Sequence, residues 1–133
     1  MRDKVLIDTS VWIDYLQGSA REGLRQLVDD LLDGKEILAP KLVIAELIHG
    51  ARTEKDIEII REFLEAFTIV GENEGTWLNA GRLSFDLKKK GKTINLADCY
   101  ISVIAQEHRA AVLTLDRHFK DIQKEIGLEL IAP

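Results

Sequence analysis

The sequence predicts an α/β domain built on a mostly parallel β-sheet. Short apolar runs of strand length alternate with longer stretches of helical apolar spacing along all 133 residues, and such alternation feeds parallel sheets. The length fits one compact domain, residues 1–133, and a composition of 46% hydrophobic and 31% charged residues supplies both a core and a solvated surface. No repeat, low-complexity tract or linker interrupts the chain, and its only prolines are Pro40 and Pro133.

The apolar run Val5-Leu6-Ile7 predicts a buried strand over 4–8, closed by a turn at Asp8-Thr9-Ser10. A short helix follows, with Trp12, Ile13 and Leu16 on its inner side. Leu24, Leu27, Val28, Leu31 and Leu32 recur at helical spacing over 21–33, and Gly34 stops that helix. Residues 36–39 form the second strand. Pro40 sits near the first turn of a helix over 41–49, which ends at Gly50. Thr53 caps the next helix, whose apolar face carries Ile57, Ile60, Phe63, Leu64 and Phe67. Strand three covers 68–70. A long helix covers 75–90, where the cost of an internal Gly81 predicts compensating close packing. The stretch 95–107 is apolar on nearly every side, hence a deeply packed helix. Residues 111–115 form strand four, 119–126 a helix closed by Gly127, and 128–131 a short last strand.

Composition narrows the function classes. No apolar run is long enough to span a bilayer, and the start Met1-Arg2-Asp3-Lys4 is no signal peptide, so no membrane partner is expected. The single cysteine, Cys99, lies in an apolar stretch and reads as core, which fits a reducing cytoplasm. A net charge of −5 weighs against broad, non-specific DNA coating. It does not exclude a nucleic-acid substrate, because divalent cations would offset clustered acids.

Four acids stand at conspicuous junctions. Asp8 ends the first apolar run, Glu46 is the one charge inside Leu42-Val43-Ile44-Ala45-Glu46-Leu47-Ile48, Asp98 opens the apolar stretch after Ala97, and Asp116 follows Ala111-Val112-Leu113-Thr114-Leu115. Burying an unpartnered carboxylate is expensive, so four such placements point to a shared cation, and hard oxygen ligands suit Mg²⁺ or Mn²⁺. Asp8 and Asp116 follow predicted strands, and in parallel sheets the carboxyl ends of strands gather where ligands bind.

Each acid also has a structural reading. Asp8 and Asp116 are at positions to cap the helices that follow them, Asn95-Leu96-Ala97-Asp98 matches a capping box, and Glu46 could be an ordinary surface glutamate. Thr114 lies on the same side of its strand as Asp116, where its hydroxyl can hold a water or a carboxylate. His49, His108 and His118 show no zinc-like spacing. Lys88-Lys89-Lys90 with Lys92 reads as a solvated helix end or as a phosphate contact. Trp12 and Tyr15 read as core or interface. There is no phosphate-binding glycine loop, no nucleophile motif, and no acidic pair of the phospho-accepting receiver type, since Asp3 is too far from Asp8.

Together these residues resemble PIN-domain proteins. Leu6-Ile7-Asp8-Thr9-Ser10-Val11-Trp12-Ile13 looks like the opening motif, Ala45-Glu46-Leu47 the second, Asn95-Leu96-Ala97-Asp98-Cys99-Tyr100-Ile101 the third and Leu113-Thr114-Leu115-Asp116-Arg117-His118-Phe119 the fourth. Length and spacing are similar to the VapC-type ribonuclease toxins of toxin–antitoxin pairs. The resemblance implies a Rossmann-like five-stranded sheet in the order 3-2-1-4-5 and Mg²⁺- or Mn²⁺-dependent endoribonuclease activity on RNA. It makes Asp8, Glu46, Asp98 and Asp116 the metal-binding and catalytic acids, with Ser10 and Thr114 supporting them. It further implies a VapB-like antitoxin, with Trp12, Tyr15 and Leu16 as candidate contacts, and a homodimer. Many relatives carry another acid where this chain has His118, which bears on a second metal position. A PIN nuclease of RNA processing and a non-catalytic PIN-like binding scaffold are the alternatives.

Overall fold

Five parallel strands meet edge to edge in the order β3-β2-β1-β4-β5. The computed structural model describes residues 2–133. In chain order its elements are β1 (Lys4–Ile7), α1 (Thr9–Leu16), α2 (Glu22–Gly34), β2 (Glu36–Pro40), α3 (Lys41–His49), α4 (Glu54–Leu64), β3 (Thr68–Val70), α5 (Thr76–Lys89), α6 (Leu96–Glu107), β4 (Ala111–Leu113), α7 (His118–Ile126) and β5 (Leu130–Ile131). The α/β class expected from the apolar pattern and the strand order implied by the resemblance are both present.

The strands are short because each is a continuous apolar run that vanishes into the interior. Val5, Leu6 and Ile7 of β1 and Ala111, Val112 and Leu113 of β4 are fully buried, as central strands covered by helices on both faces must be. α6 supplies the matching hydrophobic surface: Cys99 through Ala105 are all buried. Trp12, tilted against Phe67 at 4.9 Å and edge-on to Tyr15 and Phe63, closes the core beneath α1 and α4. α6 turns into β4 through Arg109, which takes a positive φ of 55°. α7 ends on Gly127, whose left-handed φ of 70° suits a residue without Cβ.

Topology fixes where a ligand can bind. The chain runs outward from β1 through β2 to β3, then returns to add β4 and β5 on the other side of β1. The carboxyl ends of β1 and β4 therefore diverge at a switch point, the crevice where open parallel sheets bind ligands. Ile7 pairs with Leu113, and the Asp8 N–H donates to the Leu113 carbonyl at 2.9 Å, so Asp8 and Thr114 emerge side by side.

Several expectations fail in detail. Ile13 is not on the inner side of α1 but 39% exposed, because Val11 and Trp12 take the core-facing arc. Gly81 is exposed and an added Cβ there would meet nothing within 4 Å, so no packing within the chain compensates for it. α3 buries only Val43 and Leu47 and exposes Ile48, so Glu46 is half-buried and not enclosed by apolar neighbours on every side. β4 stops at Leu113, two residues early, because Thr114 and Asp116 leave the ladder to bond each other. The lysine run, by contrast, is the solvated end of α5 that the sequence reads, with Lys90 paired to Glu125, Lys92 to Asp121 and Lys89 over the Phe85 ring.

Candidate metal centre

The site grows from the Asp8 carboxylate. Asp8 is only 5% exposed, directly after the fully buried run Val5-Leu6-Ile7. Its backbone occupies the N-cap position of α1, but its side chain makes no capping bond, so the capping alternative does not hold for it. Instead, its Oδ2 accepts the hydroxyls of Ser10 at 2.9 Å and Thr114 at 2.8 Å. The Ser10 Oγ accepts the Leu115 N–H at 3.2 Å, and the Thr114 Oγ1 accepts the Asp116 N–H at 3.0 Å. Ser10 and Thr114 thus weld the loop after β1 to the loop after β4.

Asp98 comes from the first turn of α6. Its N–H donates to Asn95 Oδ1 at 2.8 Å, so Asn95 caps the helix, and its Oδ2 accepts the Asn95 side-chain Nδ2 at 3.1 Å, a bond that aims the carboxylate in place of the backbone half of a capping box. Only 8% of Asp98 is exposed. Burial, reinforced by the charges of Asp116 and Asp8, pushes its carboxyl up to about 7. Asp116 accepts the His118 N–H at 2.9 Å through Oδ1, a bond that caps the start of α7. Ligand atoms from Asp98, Asp116 and His118 all lie within 4.8 Å of one another.

Glu46 stands further out. Its Oε1 accepts the Thr9 hydroxyl at 2.8 Å, which ties it to the residue after Asp8. It does not belong to the tight group of ligand atoms formed by Asp98, Asp116 and His118. The structure therefore brings Asp8 and Asp116 within electrostatic reach of Asp98, but Asp8, like Glu46, lies outside the tight group of ligand atoms, and Glu46 reaches the site through the Thr9 hydroxyl. His118, which the sequence offered no zinc-like reason to select, joins the group. Thr9 was missed too, because nothing local in the sequence marks a partner 37 positions away.

The donor set fits a divalent cation. Burial and two neighbouring carboxylates raise the proton affinity of Asp98, and a hard dication relieves the same repulsion through oxygen ligands. Among the described residues, no buried side-chain nitrogen or oxygen lacks a hydrogen-bond partner, so the carboxylates are held in place without it. A thiol route has no support: Cys99 is buried, and burial pushes its thiol up to about 11.

Two concave surfaces mark the molecule, and one of them opens at the site. A cavity of about 380 Å³ opens beside Asp116, lined by Thr114, Arg117, Lys120 and Gln123 among others. A larger groove of about 540 Å³ runs between α1, α3 and α4, lined by Ile13, Leu16, Leu47, Ile59 and Ile60 with Arg52 and Asp56. Leu16 lines the groove. Trp12 does not: it is 1% exposed and belongs to the core. Tyr15 is half-buried, with its hydroxyl committed to Asp29.

Among the described residues, no helix is long and apolar enough to cross a membrane. The sequence is 30% identical over 127 residues to Ribonuclease VapC1 of Methanocaldococcus jannaschii, covering 96% of this chain and 86% of that one. It is 24% identical to Ribonuclease VapC2 of Haemophilus influenzae, covering 94% of each. The fold superimposes on VapBC-1 from nontypeable Haemophilus influenzae with a TM-score of 0.77, 26% identity and 96% of each chain covered. It also matches the DNA-bound VapBC of Salmonella typhimurium with a TM-score of 0.80 and 19% identity over 98% of each chain. The profile of the PIN domain matches residues 5–125, nearly the whole of the strand and helix succession that builds the crevice, and the chain belongs to the PIN domain family.

Proposed function

We propose that this chain is a Mg²⁺- or Mn²⁺-dependent endoribonuclease and the toxin of a VapBC-type pair. The observation that carries the reading is the convergence of Asp8, Asp98 and Asp116 at the switch point, with Asp98 raised to about 7 by burial and by its two acidic neighbours. The ribonuclease names of the curated relatives and the toxin–antitoxin complexes among the solved neighbours support the same reading.

In this reading Asp98 and Asp116 hold the metal directly, Asp8 joins them from across the crevice through its carboxylate oxygens or through water, and Glu46 acts from the margin, through water or through Thr9. A divalent cation in such a setting lowers the pKa of a water and stabilises negative charge on a phosphate. The reaction is hydrolysis: a water oxygen bonds to phosphorus, the bond from phosphorus to the 3′ oxygen breaks, and protons from water leave a 3′-hydroxyl and a 5′-phosphate. The chain's own contribution is preorganisation. Ser10 and Thr114 fix one oxygen of Asp8, Asn95 fixes one oxygen of Asp98, and the first N–H of α7 fixes one oxygen of Asp116. Carboxylates already locked lose no rotamer freedom when the substrate arrives. Arg117 and Lys120, on the cavity beside Asp116, offer cations to the phosphates of the flanking strand.

The groove between α1, α3 and α4 is the seat of a VapB-like partner in this reading. A homodimer is supported by the exposed apolar stripe of Trp77, Leu78 and Phe85 on α5. A cytoplasmic setting accords with the single buried cysteine. The decisive experiment compares RNA cleavage by the purified chain and by Asp8→Asn in Mn²⁺ or Mg²⁺. We expect cleavage by the first and loss by the second, with the fold intact by circular dichroism. Cleavage that survives in the variant, or in excess EDTA, overturns the reading.

A further inference from the structure

We infer that His118 supplies a nitrogen ligand to the divalent ion held by Asp98 and Asp116, and so tilts this centre from Mg²⁺ toward Mn²⁺; the inference rests on the metal-dependent reading above. His118 is the first residue of α7. Its backbone N–H and its ring Nδ1 both reach the same oxygen, Asp116 Oδ1, at 2.9 and 3.2 Å. That double contact sets the imidazole against the acid cluster. One atom from each of Asp98, Asp116 and His118 lies within 4.8 Å of the others. Donors about 2.1 Å from an octahedral ion stand roughly 3 Å apart when adjacent and about 4.2 Å apart when opposite. Closing the group onto an ion is thus a matter of side-chain adjustment, with no backbone movement.

The chemistry of the donor set gives the consequence. Mg²⁺ is served by oxygen and keeps much of its water, whereas first-row transition ions accept imidazole readily. Two carboxylates and one imidazole therefore suit Mn²⁺ better than an all-oxygen set would. The neighbouring groups are consistent with a cation here: Asp8 faces Asp98 across the crevice, and His118 is half exposed, so solvent and substrate can complete the coordination.

A rival role makes the opposite prediction. If His118 is merely a partner of Asp116, it competes with the ion for Oδ1, and removing the ring strengthens metal binding. If it is a ligand, removing the ring weakens it. The test uses the full chain, its His118→Ala and His118→Asp variants, MnCl₂ and MgCl₂, with calorimetric titration and pulsed electron paramagnetic resonance of the bound Mn²⁺. We expect imidazole nitrogen modulation on Mn²⁺ in the parent protein and none in either variant. We expect His118→Ala to weaken Mn²⁺ by at least the roughly 10–100-fold typical of outer-shell losses. His118→Asp should lower the preference for Mn²⁺ over Mg²⁺. Bound Mn²⁺ without nitrogen modulation, or tighter Mn²⁺ in His118→Ala, overturns the inference and leaves the nuclease reading standing. A parent protein that binds neither ion overturns both.

Discussion

Asp98 shows how a single residue couples the fold to its ligand. Its carboxyl is shifted from 3.8 to about 7, first by burial and then by Asp116 and Asp8. A raised acid favours the folded state only while protonated. Its contribution is fully present below 3.8 and is lost as the pH rises through about 7. In EDTA, this residue should therefore make the protein progressively less stable between those limits and no further above them. Asp98→Asn removes the charge and should flatten that part of the profile, which urea unfolding at stepped pH will read. An unchanged slope in the variant would mean that the crowding at Asp98 is not felt by the fold. Millimolar Mn²⁺ should restore stability to the parent above pH 7 and do little for the variant, since an ion that binds only the native state stabilises it by mass action. The acids were legible in the sequence because a charge at the end of an apolar run is costly without a purpose. The direction of the His118 ring was not. His118 is the first residue of α7, one residue before the expected start, and its Nδ1 lies 3.2 Å from Asp116 Oδ1.

At the level of elements, capping residues fix both helix boundaries and site geometry. Thr53 begins α4 by accepting the Asp56 N–H at 3.1 Å, while Asp56 accepts the Arg52 N–H at 3.1 Å. Thr53→Ala should cost about 1 kcal/mol, seen as a lower urea midpoint at constant slope, with metal affinity unchanged because α4 carries none of the acids. The same device at Asn95 does two jobs, since its partner is Asp98. Local signals of this kind were readable from sequence: Thr53, Asn95, Gly50 and Gly127 bound their helices within a residue or so of the expected places. The inner and outer faces of α1 and α3 were not. Both helices are apolar almost throughout, so periodicity cannot say which side meets the sheet. Ile13 and Ile48 look outward only because Trp12, Val43 and Leu47 fill the space beneath.

On the scale of the whole molecule, two apolar surfaces stand out among the described residues, and the proposed function gives each a different partner. The groove of α1, α3 and α4 is concave, apolar along its floor and charged at Arg52 and Asp56, as a docking site for one apolar helix face would be. The α5 surface is convex. Trp77, Gly81 and Phe85 recur every four residues along it, and Leu78 beside them is 77% exposed. In the proposed reading a second copy packs on this stripe about a twofold axis, the commonest symmetry of homo-oligomers. The small residue that nothing within the chain packs against then lets a second copy approach closely. Two single substitutions separate the surfaces. Leu78→Asp should convert a dimer to a monomer in light scattering after gel filtration and leave capture of a co-expressed VapB-like partner intact. Ile59→Asp, on the groove, should abolish that capture and leave self-association unchanged. Both residues are exposed, so neither change reaches the core, and Mn²⁺ binding should persist in both as proof of an intact crevice. If Leu78→Asp instead blocks the partner while Ile59→Asp alters self-association, the assignment of the two surfaces is reversed.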